Sequence, residues 1–574
     1  MRKIIWILAL IFFGILFKND LSGQMDGKYF FINCPEEKML VHLSQESVFT
    51  GEIMWFKIYC SSPAFPYEGL SNLAFIELVS SENTSVLRKK ILLKHGTGSG
   101  EFEIPKRLST GLYYVLIYSN WMKNFGEQSF SRKEIAVINP ELPYKSSEEN
   151  HDYSKTIAQK TETGPPTDRL KITTDRKSYN RREQVTLKIS TTGISGEKVS
   201  GDFSVSVSRK EPEMNRAVEK EGGGLSENDP GGSVYLPDYK GITLSGRLVD
   251  STGKAVAGVT VTASTPGRGT ELKSSITDNA GVYNFLLKPE EGEKEIILTL
   301  PGTSLRSVLE ESFWNGFRNP PNNVVFSPDK DAISYIKERY RNFQIQARFK
   351  NQFFTRNRQP EDPKDSSVFY SEPYQLIEFK NYIYLDSLRE YFYELVPSVK
   401  FSRKKGETDI AVFDPNTMDF LDEKPGVFVD GVLYDNYAEI AKLAVRDIDR
   451  IAIIAETYYY GIFTFGGIID IHTKKSDFNC VSPSPDMIRF IYPMADRDEW
   501  KFSSPVYSIA GNSDRIPDFR YLLYWQPDLR TSNSQDVSVK FYTGDLKGIY
   551  IIKVIGMSEN GEMLEAENEI YVDN

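Results

Sequence analysis

The residues that could do chemistry are few and scattered along this chain of 574 residues. An internal thioester needs Cys-x-Glu-Gln, in which the thiol condenses with the glutamine amide, and the nearest string is Cys34-Pro35-Glu36-Glu37. Glu37 has no amide to lose, which argues against a thioester. Zinc peptidases need two histidines and a carboxylate at ligand spacing, but the four histidines are isolated: His42, His95, His151 and His472. We expect no catalytic residue, no metal, no cofactor and no enzyme activity.

Two other strings have a chemical interpretation beside a simpler structural one. The glycines of Gly96-Thr97-Gly98-Ser99-Gly100 suggest a phosphate loop, but the run joins two strand-like segments, so we predict a hairpin turn. Asp430, with Asp435 nearby, has the chemistry of a cation ligand. Its place before Gly431 favours a turn aspartate instead.

Three consecutive aromatics form the most suggestive local feature, Tyr458-Tyr459-Tyr460 at the end of a strand-like run. Such residues expose amphipathic surface that is favoured at protein interfaces. We predict an interaction surface at Tyr458, Tyr459 and Tyr460, with packing against a neighbouring domain as the alternative. The tryptophans in or beside strand-like runs are expected in the core: Trp55, Trp121 and Trp525.

Length and composition indicate a protein of three to five domains, with 40% hydrophobic and 26% charged residues. The net charge of −10 argues against nucleic acid or anionic lipid as the main partner. The three cysteines fit one disulfide with a free thiol or three buried thiols equally well: Cys34, Cys60 and Cys480.

The first residues predict export. Arg2-Lys3, the apolar run 4–17 and small residues at Ser22-Gly23 are typical of a signal peptide over residues 1–23, with cleavage before Gln24. The apolar run is too short for a membrane span. We expect a periplasmic or outer-membrane-associated protein that is peripheral to the membrane, with the cell surface as the alternative.

Seven strand-like runs between residues 38 and 138 predict a β-sandwich for residues 24–140. Val48-Phe49-Thr50-Gly51-Glu52 and the later string Phe-x-Ile-Pro-x-x-Leu-x-x-Gly-x-Tyr, residues 102–113, carry a resemblance. The segment resembles the macroglobulin-like (MG2-type) domains of the α2-macroglobulin superfamily. Residues 141–169 are polar and predict a linker.

A second copy of this pattern is interrupted. Three strand-like runs follow residue 170, and four more follow residue 520, where Phe541, Leu546, Gly548 and Tyr550 repeat the spacing of the first domain. We predict one macroglobulin-like sandwich split into residues 170–240 and 513–574. Residues 184–190 should then pair with 537–543, and 203–208 with 549–555. The chain near Gly241 should also approach the chain near Ser513.

The residues between the halves resemble two known modules. Residues 246–259 and the string Thr-Asp-x-x-Gly-x-Tyr-x-Phe at 277–285 resemble the carboxypeptidase regulatory-like domain, a small β-sandwich predicted over 241–302. Val429-Asp430-Gly431, the isoleucines after residue 447 and the string 467–474 resemble the plug domain of TonB-dependent receptors, predicted over 381–478 without the barrel. A connector with a helix over 303–380 and a proline-rich connector over 479–512 complete the chain.

The fold class is therefore predicted as mainly β, with macroglobulin-like sandwiches, a regulatory-like sandwich and an α+β plug-like domain. We expect a non-enzymatic envelope protein of a Gram-negative cell that binds an outer-membrane barrel protein, another envelope protein or a substrate of such a barrel. One alternative is an accessory component of TonB-dependent transport. A second is a macroglobulin-type protease inhibitor without a thioester.

Overall fold

The computed structural model describes residues 36–63, 69–142, 169–193, 195–212, 216–218, 235–310, 312–315, 324–326, 328, 330–349, 354–356, 367–381, 388–404, 407–498, 500–507, 516–533 and 535–573. Strands dominate these residues, which confirms the mainly-β class. The predicted signal peptide, Cys34 and Ser513 lie outside the described residues.

The first sandwich packs two sheets, with strand orders β1-β3-β6 and β2-β8-β7-β4-β5. All seven predicted runs are strands, and a short eighth strand, β2, pairs in parallel with β8. The strands are β1 (Lys38–Leu43), β2 (Ser47–Phe49), β3 (Ile53–Ser61), β4 (Leu73–Ser80), β5 (Ser85–Leu92), β6 (Thr97–Glu103), β7 (Gly111–Tyr118) and β8 (Ser131–Ile138).

Four of the five residues predicted as a hairpin turn, 97–100, belong to strand β6. The position predicted for the turn is therefore wrong. The chain reverses one step earlier, at His95 with φ 52° and Gly96 with φ 69°. A Cβ on Gly100 would come 2.7 Å from the ring of Phe56, and one on Gly98 would come 2.7 Å from Ile91 Cγ2. Close packing by neighbouring side chains explains these two strand glycines.

The next segment supplies half of a second sandwich. Its strands are β9 (Leu170–Thr174), β10 (Ser178–Tyr179), β11 (Gln184–Thr191) and β12 (Gly201–Arg209). A short strand follows, β13 (Arg216–Val218). The buried positions of β11 alternate with half-buried or exposed ones, as period 2 requires of a strand with one face in a core.

An inserted sandwich follows, with sheet orders β17-β14-β19 and β16-β15-β18. Its strands are β14 (Ile242–Val249), β15 (Thr260–Ser264), β16 (Leu272–Ile276), β17 (Val282–Leu287), β18 (Glu293–Thr299) and β19 (Arg306–Leu309). Beyond it come β20 (Val324–Phe326), which pairs with β13, then helix α1 (Lys330–Arg348) and β21 (Phe354–Arg356).

Helix α1 confirms the helix predicted within the connector 303–380, and it packs against both the first and the second sandwich. Ile336, Tyr340 and Phe343 pack on Phe49 and its neighbours in the first sandwich. The Arg339 side chain of the same helix is only 1% exposed. It forms ion pairs with Glu52 of the first sandwich and with Glu211, which follows β12 of the second. The apolar side of this helix is therefore an interdomain contact.

The α+β module contains one five-stranded sheet, β22-β28-β29-β26-β27, and a smaller sheet, β23-β24-β25. Its elements are β22 (Gln375–Glu378), α2 (Leu388–Leu395), β23 (Val399–Lys404), β24 (Glu407–Asp414), β25 (Asp419–Phe420), β26 (Gly426–Val429), β27 (Val432–Leu433), α3 (Tyr437–Ile440), β28 (Ile448–Tyr460) and β29 (Phe463–Thr473). After residue 426 the elements follow in the order β26, β27, α3, β28 and β29, which agrees with the α+β class predicted for this module. However, β22 precedes the expected start at residue 381 and pairs with β28.

The stretch predicted as a proline-rich connector contributes strands to other units. Strand β30 (Met487–Pro493) extends the inserted sandwich by pairing with β18, and β31 (Trp500–Phe502) pairs with β21. Proline does not exclude a strand here, because Pro493 is the last residue of β30. The chain then forms β32 (Leu522–Thr531), β33 (Val537–Tyr542), β34 (Gly548–Ser558) and β35 (Met563–Val572).

These last four strands complete the second sandwich. Its sheets have the orders β33-β11-β9 and β10-β35-β34-β12-β32. Strand β11 pairs with β33 from Gln184↔Tyr542 to Ile189↔Val537, and β12 pairs with β34 over its whole length. Both strand pairings predicted from the sequence are thus confirmed.

The first and second sandwiches each contain a tyrosine hydrogen bond of the same kind. This bond explains why the spacing of residues 102–113 is repeated before Tyr550. Tyr113 Oη donates to the Ser109 carbonyl at 3.0 Å, and Tyr550 Oη donates to the Leu546 carbonyl at 3.0 Å. Each bond ties the start of a strand back to the preceding loop, as in the tyrosine corner of immunoglobulin-type sandwiches.

Polar side chains also cross the buried contact between the first and second sandwiches. His42 Nδ1 lies 2.6 Å from Ser204 Oγ, and Lys57 Nζ donates to Asp528 Oδ1 at 2.6 Å. Trp55 and Trp525 belong to one apolar cluster at this contact, while Trp121 is buried in the first sandwich. The three tryptophans are buried, as predicted.

Candidate binding surface

The β28–β29 hairpin positions the three tyrosines singled out in the sequence. Tyr458, Tyr459 and Tyr460 pair with Phe465, Thr464 and Phe463 on the facing strand. Successive strand side chains point to opposite faces. Tyr458 and Tyr460 therefore share one face, and Tyr459 points to the other.

Tyr458 and Tyr460 pack against Phe369. The ring centroids of Tyr460 and Phe369 lie 4.3 Å apart, and Tyr458 Oη donates to the Phe369 carbonyl at 3.2 Å. Phe369 also contacts the Phe428 ring, at 5.4 Å between centroids, so the hairpin is tied to strand β26 of its own sheet. The side chains of these two tyrosines therefore pack against residues of this protein instead of projecting into solvent.

Tyr459 and Ile462 are the exposed apolar side chains at the end of the hairpin. Tyr459 is 75% exposed and Ile462 is 54% exposed, and Gly461 between them has φ 58°. We call residues 459–462 the hairpin tip. A positive φ favours glycine, so the turn that presents both side chains depends on this residue. Ile462 was missed in the sequence because one residue in a turn leaves no periodic signal.

Asp430 acts as a turn aspartate. Its carboxylate accepts hydrogen bonds from Thr473 N at 2.6 Å, from Thr473 Oγ1 at 2.7 Å and from Phe478 N at 3.0 Å. These bonds fix the end of β29, and Asp430 itself has φ 48°. Its oxygens are committed to this loop, as the simpler interpretation predicted.

A buried polar cluster fixes the α+β module to the inserted sandwich. Asp470 Oδ2 accepts from Thr270 Oγ1 at 2.6 Å and from Tyr370 Oη at 2.5 Å, and it lies 3.1 Å from His472 Nε2. Burial and the Asp470 charge raise the pKa of Tyr370, so its hydroxyl stays protonated and donates. His472 lies in strand β29, and nothing in the sequence indicated its contact with Asp470.

The thiols are poor nucleophiles in this structure. Burial raises the pKa of the Cys60 thiol well above its usual value, with the Glu37 carboxylate adding to the effect. Burial and Asp430 raise the pKa of Cys480 to about 12. Both cysteines are free, so neither forms a disulfide with the other.

His42, an imidazole with serine partners, is sealed inside the protein. His42 lies between Ser204 and Ser206 and is fully buried, and burial lowers its pKa well below the usual value. A substrate has no access to this pair. Among the described residues, no group of three or more His, Cys, Asp or Glu side chains has the geometry of a metal site.

The exposed apolar side chains of the hairpin tip suit binding and carry no reactive group.

In the part of the chain that the structure describes, no helix is both long and apolar enough to cross a bilayer.

Comparison with known proteins assigns no family. No family model matches the chain, and no curated protein matches it. Among solved structures, Escherichia coli alpha-2-macroglobulin activated by porcine elastase is similar at 9% identity over 94% of this chain and 44% of that chain, with a TM-score of 0.24. Salmonella alpha-2-macroglobulin reacted with methylamine gives 8% identity, 94% and 39% coverage and the same TM-score of 0.24.

An Escherichia coli adhesin is similar over 48% of this chain and 65% of its own length, at 10% identity and a TM-score of 0.15. The chain spans less than half the length of the macroglobulins. These TM-scores are too low to carry an argument. The macroglobulin resemblance therefore rests on the sequence strings, and the strand pairings agree with the architecture that it implies.

Proposed function

We propose that this protein is a non-enzymatic, exported envelope protein that binds an outer-membrane protein or a substrate of one, with the hairpin tip as its anchor. The observation that carries the proposal is the pairing of exposed Tyr459 and Ile462 on a hairpin whose other face is fixed by Phe369. The few residues that dominate the binding energy of protein interfaces are enriched in tyrosine, tryptophan and arginine.

Preorganisation strengthens this argument. A partner that binds the tip need not order the hairpin, because thirteen residues of β28 and eleven of β29 already form one ladder. Less ordering on binding leaves more of the contact energy as affinity. The signal-peptide pattern and the plug-like strings of residues 427–475 support an outer-membrane environment for the partner.

The test compares the wild type with a Tyr459→Ala/Ile462→Ala variant in quantitative co-purification from outer-membrane extracts. The affinity is then measured with the purified partner. Loss of an interface anchor costs about 2 kcal/mol or more, so we expect binding about 30-fold weaker. Tyr393→Ala is the matched control, since this tyrosine is 83% exposed on α2 of the same module.

The control should bind as the wild type does. Circular dichroism and thermal unfolding should show both variants folded, because the substituted side chains lie in solvent. If the tip variant recovers the same partners with the same affinity, the hairpin tip is not the binding element and the proposal fails.

A further inference from the structure

A cleft lies where the first sandwich meets the segment that enters the inserted sandwich. Its volume is about 670 Å³, and it is partly open to solvent. The turn between β5 and β6 forms one wall, with Lys94 and His95, and Tyr239 and Lys240 form the other. Ligand sites occur preferentially at such domain boundaries, in cavities of about 300 to 1,000 Å³.

Backbone hydrogen bonds preform the cleft around Asn72. Asn72 N donates to the Asp238 carbonyl at 2.9 Å, and Leu93 N donates to the Asn72 carbonyl at 2.9 Å. The Asn72 side-chain amide also donates to the Tyr239 carbonyl. The walls are therefore held together before any ligand arrives.

The charge of the cleft is opposite to that of the whole protein. Two exposed lysines, Lys94 and Lys240, line it, and neither forms an ion pair within the described residues. Neither aspartate nor glutamate is among the described side chains that line this cleft. The net charge of the protein is −10, so this local cationic pair favours an anionic ligand.

The remaining lining selects among anions. Tyr239 is 51% exposed, and Lys240 Nζ lies 5.9 Å from the centre of its ring, over one face. A sugar can stack on the opposite face, while Lys94, His95 and Lys240 supply polar groups around the ring. Leu92, Leu93 and Pro289 form an apolar side of the cleft, but the cleft is partly open, so an acyl chain there would stay partly in water and its burial would be incomplete. A sugar ring has an apolar face for Tyr239 and hydroxyls that tolerate solvent.

We propose that this cleft binds an acidic oligosaccharide, with Lys94 and Lys240 on its carboxylates and Tyr239 on a sugar ring. This site is separate from the hairpin tip and uses different elements. Binding here does not depend on the function proposed for the tip.

The test titrates the full chain with tetramers of galacturonate and of mannuronate by calorimetry. A neutral galactose tetramer and inorganic phosphate are the comparison ligands. We expect the uronates to bind with an affinity that falls as salt rises. Lys94→Glu/Lys240→Glu should weaken that binding at least about tenfold, because charged hydrogen bonds are replaced by repulsion.

Lys171→Glu/Lys188→Glu makes the same change in net charge on exposed lysines of β9 and β11, and it should leave binding unchanged. Tyr239→Ala should weaken uronate binding without affecting the weak binding of phosphate. The proposal is overturned if neither uronate binds or if the control variant loses as much affinity. Phosphate binding as tight as uronate binding, with Tyr239→Ala silent, would also overturn it.

Discussion

Replacing Arg339 by alanine should loosen the junction between the two sandwiches. Arg339 Nη2 lies 2.8 Å from Glu52 Oε2, and Nη1 lies 3.2 Å from Glu211 Oε1 and 2.8 Å from Ser47 Oγ. Glu52 and Ser47 belong to the first sandwich, and Glu211 follows β12 of the second. One buried guanidinium therefore neutralises carboxylates from both sides.

The magnitude follows from what alanine leaves behind. Removing one partner of a buried ion pair costs about 3 to 5 kcal/mol, because the other charge stays desolvated. The side chains of Glu52 and Glu211 are 19% and 15% exposed, so water reaches them and the lower end applies. We expect Arg339→Ala to lower the free energy of unfolding by about 3 kcal/mol at pH 7.5.

The pH dependence gives a second, independent check. Burial raises the pKa of Glu211 to about 7 from its usual 4.5, although the Arg339 charge opposes this shift. The folded protein thus holds a proton that the unfolded chain releases, so this contribution favours folding at low pH and is lost as the pH rises through 7. Without Arg339 the pKa rises further, and the deficit of the variant should be larger at pH 8 than at pH 5.

The assay is urea unfolding followed by tryptophan fluorescence, since Trp55 and Trp525 lie at the contact between the sandwiches. Arg341→Ala is the matched control, because Arg341 is exposed on the same helix. Adding Glu211→Gln to Arg339→Ala should recover part of the loss. A change below about 0.5 kcal/mol, the range of ordinary surface substitutions, would refute the reasoning.

Three further predictions concern packing, a hydrogen bond and processing. Gly100→Ala should cost about 1 to 3 kcal/mol by overpacking, whereas Gly267→Ala, which has open space around it, should be neutral in the same denaturation assay. Tyr550→Phe should cost about 1 kcal/mol, since it removes the corner hydrogen bond, while Tyr571→Phe at a 44% exposed site should cost nothing measurable by thermal unfolding. The mature protein should begin near Gln24, and an intact mass that includes the leader would contradict this.

Strand identity and pairing could be predicted from the sequence because they depend on local patterns. Alternating apolar residues identify β11 and β33, and the repeated tyrosine spacing indicates that the last strands belong to the same kind of sandwich as the first. Period 2 also implies that Tyr459 cannot share a face with its two neighbours.

Other features depend on residues that are distant in the chain and leave no local trace. A single arginine in a helix looks like a solvent-exposed residue, and only the fold shows that Arg339 is buried between Glu52 and Glu211. Strand β30 joins a sheet whose other strands end almost 190 residues earlier, so nothing near it indicates a partner. The residues around Phe369 show neither the helical nor the strand pattern of apolar residues, so the sequence gives no sign of its contact with Tyr460.

The split of the second sandwich has a kinetic consequence. Gln184 and Tyr542, which lie side by side on β11 and β33, are 358 residues apart in the chain. At about 5 to 20 residues per second, the ribosome needs roughly 20 to 70 seconds to make the second after the first. Throughout that interval the early strands lack the neighbours that cover their edges, and such edges are prone to aggregate. This sandwich can therefore be completed only after its last strands have been made, and chaperone protection of the nascent chain should raise the yield of folded protein.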